Sequence, residues 1–145
     1  MAAPTFEGTT PLVDDRYLLT VQAGEDLLTI GTVVEITADW TVKASTLTTT
    51  NSNAVMGITL TAAKSGKKIT VLCRGLTRAI AYGTITAGDT VGSAPGGTVQ
   101  TLAQPTATDC NTSAGTAAAI SKMAGAIGKA IGGASSGGTA YILVI

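Results

Sequence analysis

Residues 57–73, Gly57-Ile-Thr-Leu-Thr-Ala-Ala-Lys-Ser-Gly-Lys-Lys-Ile-Thr-Val-Leu-Cys73, return 71 positions later as Gly128-Lys-Ala-Ile-Gly-Gly-Ala-Ser-Ser-Gly-Gly-Thr-Ala-Tyr-Ile-Leu-Val144. Gly57 recurs as Gly128, Ala63 as Ala134, Ser65 as Ser136 and Gly66 as Gly137, while Ile69, Val71 and Cys73 land on the apolar Ala140, Ile142 and Val144. Upstream, a spacing of 57 relates Gly31 to Gly88, Val34 to Val91 and Thr41-Val42 to Thr98-Val99. The 14-residue difference between the spacings puts one insertion in the second copy, between about Leu102 and Gly125. The repeat units are thus about 31–73 and 88–144. Short apolar runs separated by glycine-bearing turns are the pattern of strands, not helices. A duplicated β unit without evident chemistry predicts a structural module.

Composition agrees. The 145 residues suit one domain with a buried core. Hydrophobic residues make up 45 %, but aromatic ones only 3 % and charged ones 12 %, so the apolar content is small and aliphatic. Threonine, valine and isoleucine fit a pleated, half-buried surface, and 18 glycines supply turns. Residues 1–16 read as an extended N-terminal arm, lacking both helical and strand periodicity. Residues 17–145 read as a single β domain. Strand candidates are Tyr17–Val21, Thr32–Thr37, Trp40–Lys43, Val55–Leu60, Lys68–Cys73, Leu76–Ala81, Thr98–Leu102 and Thr139–Ile145, with a bend expected at Arg74-Gly75. The fold class is all-β: a small barrel, or tulip-like domain, of two repeated units with at most one short helix. That helix falls around Ala114–Ala124, although Ile120, Met123, Ile127 and Ile131 share helical spacing further on, and the repeat register makes 127–130 a strand.

The net charge is zero, but it is unevenly spread. Residues 1–40 carry Glu7, Asp14, Asp15, Glu25, Asp26, Glu35 and Asp39 against Arg16, a balance of −6. Residues 41–80 carry Lys43, Lys64, Lys67, Lys68, Arg74 and Arg78 with no acid, a balance of +6. Two readings stand: scattered solvated charges, or an acidic segment of one subunit meeting a basic segment of another. The intersubunit candidates are Asp14, Asp15, Glu25, Asp26, Lys64, Lys67, Lys68, Arg74 and Arg78.

Catalytic and cofactor chemistry is not expected. The chain has no histidine, the commonest general base and neutral metal ligand. Cys73 and Cys110 are too few for a structural zinc site; Cys73 reads as a buried small residue, and a pairing between the two is left open. Lys64-Ser65-Gly66-Lys67 lacks the glycine and hydroxyl of a phosphate loop, since Thr61 and Lys68 stand there. No catalytic, cofactor or metal residue is assigned, and no small-molecule substrate. Aromatic residues are too scattered to stack on nucleic acid. Met1–Gly8 lacks a signal-peptide pattern and Tyr141–Ile145 is too short to cross a bilayer, so no membrane association is expected.

The order of motifs carries a resemblance. Gly-Thr-Val-Val at 31–34 is followed by Trp-Thr-Val-Lys at 40–43, Val-Met-Gly-Ile-Thr-Leu at 55–60, Ala-Ala-Lys-Ser-Gly at 62–66 and Ile-Thr-Val-Leu-Cys-Arg-Gly at 69–75. Ala-Gly-Asp-Thr-Val at 87–91, Ala-Ile-Gly-Lys-Ala-Ile at 126–131, Ala-Ser-Ser-Gly-Gly at 134–138 and Tyr-Ile-Leu-Val at 141–144 complete it. From Gly24 to Ile145 the chain resembles the capsid decoration (cement) proteins of tailed bacteriophages and related viruses, the lambda head decoration protein included in a broad structural sense. The insertion at Gln104–Met123 departs from that pattern. The resemblance implies a homotrimer on the outer surface of the capsid that binds the major capsid protein and stabilises the shell. Its arm would supply Ala2, Ala3, Pro4, Thr5, Phe6, Glu7, Pro11, Leu12, Val13 and Tyr17 to the contact. An extended arm of this kind can add a strand to an exposed sheet edge. Two other readings remain: a tail or fibre module, and, remotely, a hydrolase working through carboxylates alone.

Overall fold

The computed structural model describes residues 16–46, 55–103 and 111–145. Residues Ala2–Val13, Asp14, Asp15 and Cys110, which figure in the expectations above, lie outside the described residues. Nine strands and one helix are described: β1 Tyr17–Ala23, β2 Val33–Ala38, β3 Thr41–Ala44, β4 Val55–Thr59, β5 Lys68–Ile80, β6 Thr90–Ala94, β7 Thr98–Thr101, α1 Ser113–Ala124, β8 Ala126–Gly132 and β9 Thr139–Val144.

The protein is all-β apart from α1, as the sequence predicts. The strands hydrogen-bond in the order β1-β3-β2-β4-β5-β9-β8-β6-β7, and β1 pairs again with β5. That second pairing, with Leu19 opposite Val71 and Val21 opposite Ile69, closes β1, β3, β2, β4 and β5 into a five-stranded barrel. The continuation of β5 runs the same circuit again through β9, β8, β6 and β7. Parallel pairing of Ala23 with Val42 in the first circuit is matched by a parallel bridge from Ala81 to Val99 in the second.

Several backbone hydrogen bonds recur at equivalent positions of the two circuits. Leu27 and Ala63 exchange bonds of 2.8 Å, and Ile85 and Ala134 exchange bonds of 2.8 and 2.9 Å. The Gly24 amide donates to the Val42 carbonyl, and the Tyr82 amide donates to that of Val99. Gly31 donates to Thr59 as Gly88 donates to Ala130. The duplication therefore reaches upstream of Gly31 and Gly88, to Ala23 and Ala81, where the sequences share little more than small apolar size.

Glycine is required where strands cross most closely. A Cβ on Gly57 would lie 2.2 Å from the Leu72 carbonyl oxygen, and one on Gly128 would lie 2.2 Å from that of Leu143. No side chain fits at that distance, so both copies retain glycine and the register of β2 shifts beside the first. Gly75 (φ 126°) plays another part. The bend expected at Arg74-Gly75 falls inside one continuous strand: β5 runs for 13 residues and joins the two strands expected on either side of it. Glycine lets the strand turn from partners β1 and β4 to partner β9 without losing the ladder. The helix matches its expected place, but Ile127 and Ile131 do not extend it; after Gly125 the chain re-enters the sheet as β8, pairing with β6 and β9.

Burial explains why some strands lack alternation. One core cluster, with Val21, Ala23, Leu27, Val34, Val42, Ile69 and Val71, fills the first barrel. The second contains the repeat equivalents Ala79, Ala81, Ile85, Val91, Val99, Ala140 and Ile142, and adds Val33, Ile58 and Leu72 from the first copy. Strands β2, β4 and β5 thus bury side chains on both faces, so Val33-Val34 and Val71-Leu72 are continuous apolar pairs. Val33, Ile58 and Leu72 form one cross-strand row and are each fully buried. At ~1.5–3 kcal/mol per buried side chain, that row is a main tie between the two repeats.

Gly57→Ala and Gly128→Ala should each destabilise the fold by roughly 1–3 kcal/mol, because the new methyl meets a backbone oxygen that cannot step aside. Gly66→Ala, where φ is 81° and no atom lies within 4 Å, should cost only ~1 kcal/mol of backbone strain. Urea unfolding midpoints of the three variants test that ranking.

Candidate interaction surface

The sequence-expected charges separate into two groups. Glu25 and Asp26 stabilise their own chain: the Glu25 carboxylate accepts the Ala44 amide at 2.8 Å, and Asp26 accepts the Ser65 amide at 2.8 Å. They pin the β1–β2 connection to β3 and to the β4–β5 turn. Lys64, Lys67 and Lys68 are exposed around that turn, and Arg74 and Arg78 are exposed along β5. None of these five cations has an ion pair among the described residues. Tyr17, the described residue of the expected arm, is 62 % exposed and lies opposite Arg74 where β1 enters the barrel.

A polar cluster that sequence reading missed sits between the repeats. Glu35, only 6 % exposed, faces Lys43 at 3.4 Å. Its carboxylate also accepts the Thr46 amide at 3.2 Å and hydroxyl bonds from Ser45 and Thr46 at 3.4 Å. Ser45 is 2.7 Å from Ser93 of the second copy, and both are fully buried. The carboxylate is therefore held by several donors, and the half-exposed Lys43 adds only a solvent-screened attraction.

Among the described residues no three His, Cys, Asp or Glu side chains gather as a metal site. A surface depression of about 200 Å³ is lined by Ile30, Arg78, Ala79, Ile80 and Thr139, with one charge and no carboxylate. Burial pushes the Cys73 thiol above its usual range, which keeps it protonated and slow to react. Asp89 is held below the usual carboxylate range, first by the Thr86 amide and then by the Thr101 hydroxyl at 2.8 Å.

What the surface does present is apolar sheet. On the outer side of β5, β8 and β9 stand Leu76, Tyr141, Leu143 and Ile131, between 38 and 57 % exposed, interleaved with Arg78 and Lys129. Leu76 lies opposite Leu143 and Arg78 opposite Tyr141, so these side chains share one face. The β5, β8 and β9 segments contain no acid. A second exposed group is the β2–β3 hairpin, where Trp40 is 70 % exposed and has φ 56°, the one non-glycine residue with positive φ among the described residues. Holding a tryptophan there costs ~1–2 kcal/mol. The sequence signal was available: Trp40 aligns with Gly97 in the repeat, a glycine with φ 74°.

Two outcomes test this description. Glu35→Ala should destabilise by roughly 2–3 kcal/mol, because buried donors lose their acceptor, while Lys43→Ala should cost less than about 1 kcal/mol; chemical denaturation separates the two. For Asp89 the native pKa lies below the unfolded value, so its contribution is present above about pH 4 and is lost as pH falls through the native pKa. Thermal midpoints of Asp89→Asn should therefore fall less steeply with acid than those of the unaltered protein.

Comparison with known proteins finds likeness at the level of fold. No family model matches the chain, and no curated protein matches it. Among solved structures, one described as the crystal structure of the head fiber gp8.5 N base in bacteriophage phi29 superposes with a TM-score of 0.57. At 14 % identity the alignment covers 90 % of this chain and 94 % of that one, so the likeness is one of fold over most of both chains.

Proposed function

We propose that this protein is a structural component of a phage virion: a decoration protein that binds the outer surface of the major capsid protein shell as a homotrimer and stabilises it. The observation that carries the reading is the whole-length likeness to the base of a phage head fibre, a structure that itself belongs to the phage head. The sequence resemblance to decoration proteins supports it independently through the order of its glycine-centred motifs.

The physical character of the molecule suits that task. Closed barrels protect strand edges, which otherwise invite uncontrolled pairing on a crowded shell. An exposed apolar face with interspersed cations is suited to a permanent protein contact. Residues 1–16 serve as the arm that reaches the capsid protein, with Phe6, Leu12, Val13 and Tyr17 as its apolar anchors. Contact through a short arm is weak per site, and three arms per assembly raise the net affinity.

A second reading is specific to the structural neighbour: the chain forms the base of a longer fibre. Both readings place it in the virion without enzymatic activity. Electron microscopy distinguishes them, since decoration gives shells studded with compact trimers and a fibre base gives elongated projections.

Deletion of residues 1–13 should abolish co-sedimentation with empty capsids while leaving the thermal unfolding of the domain within a few degrees of the full chain. Unimpaired binding by the truncated protein would reject the arm's role. Absence of binding by the full chain to any shell would reject the decoration reading.

A further inference from the structure

The duplication supplies a template for how a further copy attaches. Within one chain, the β6–β7 hairpin of the second repeat docks on the outer face of the first. The Val33 amide donates to the Gly97 carbonyl at 2.7 Å, and the Gly97 amide donates to the Ser45 carbonyl at 2.9 Å. Gly97 is buried so tightly that a Cβ would lie 2.4 Å from the Thr32 methyl. Beside it runs the buried row Val33–Ile58–Leu72. The same features exist once more without that contact, the Trp40 carbonyl accepting instead the Gln22 amide of its own chain at 2.8 Å. The equivalent hairpin of the first repeat carries Trp40 where the second carries Gly97, and the indole stands in solvent. The row equivalent to Val33–Ile58–Leu72 is Thr90–Lys129–Leu143, joined by the same strand pairings and left partly or fully exposed.

We propose that Trp40 at the hairpin tip of one copy seats on the Thr90–Lys129–Leu143 row of a second copy, repeating between chains the contact that Gly97 makes within one. This rests on the reading of the protein as a symmetric assembly and names its seam. The chemistry of the two surfaces is complementary. The tip offers an indole beside Asp39; the receiving face offers Lys129, Arg78, Leu143 and Tyr141, and Asp89 at its margin is engaged by Thr86 and Thr101. Lys129 against the indole is a cation–π arrangement, and desolvation against Leu143 and Tyr141 strengthens it. At the position equivalent to Thr32 the receiving row has Asp89, whose carboxylate is held by Thr86 and Thr101. A head-to-tail contact of this kind closes into a ring when its rotation permits. Three chains then present six repeats, with intrachain and interchain seams alternating.

The experiment uses the full chain alone, without shells. Trp40 is the chain's one tryptophan, so its emission reports this contact directly. With rising protein concentration, emission should shift to the blue in step with the increase in sedimented mass. Trp40→Gly installs the residue found in the other repeat and should fold at least as stably, yet self-associate roughly thirtyfold more weakly. Lys129→Glu should weaken association similarly, and adding Asp39→Lys should restore it, which a misfolded variant cannot do. An oligomer whose emission stays red, or one that Trp40→Gly leaves intact, overturns the proposal. So does a blue shift that occurs only when empty capsids are added, since that assigns the tip to the shell. Self-association that fails while capsid binding persists overturns this seam and the homotrimer, and leaves the capsid-binding part of the proposed function standing.

Discussion

The row Val33–Ile58–Leu72 is the constraint from which the rest of the structure follows. These side chains point away from their own barrel, and the second repeat covers them completely. Without that cover, three large aliphatic residues would face water on a sheet whose other side is already the core of a closed barrel. The two repeats are therefore one cooperative unit. Strand β5 reinforces this, because it serves the first barrel with its first half and the second circuit with its second half. Separating the repeats would cut a strand as well as expose a core.

Much of this was legible in the sequence. Strand positions follow from threonine and aliphatic runs between glycines, and the two spacings place equivalent residues on equivalent hydrogen bonds. What was not legible depended on partners distant in the chain. Nothing local marks Glu35 as buried; its environment comes from Ser45 and Thr46, and from Ser93 beyond them. The strand at 127–130, by contrast, was legible from the repeat register despite the helical spacing of Ile127 and Ile131, and pairing with β6 and β9 holds it. Gly75 marks a bend in the sequence, but the continuity of one strand through it depends on β1, β4 and β9 as partners. The uneven charge likewise divided on inspection of geometry, with Glu25 and Asp26 committed to backbone amides and the arginines of β5 left facing outward.

The asymmetry between equivalent positions links fold to function. A duplication begins with two identical faces; folding covers the first and leaves the second. In the covered face the row is entirely aliphatic, and in the open one it is threonine, lysine and leucine, a composition compatible with water until a partner arrives. The hairpins diverge in the complementary sense, with glycine where contact is tight and tryptophan where it is open. A left-handed tryptophan is locally unfavourable.

Hydrogen–deuterium exchange of the full chain, in dilute and in concentrated solution, tests this account most directly. The account predicts that concentration slows exchange at residues 38–41 and, together with them, at 90 and in the β8 and β9 segments, with the interior strands β2 and β4 unchanged. Protection that instead appears on another surface, or on only one of the two paired regions, would contradict it.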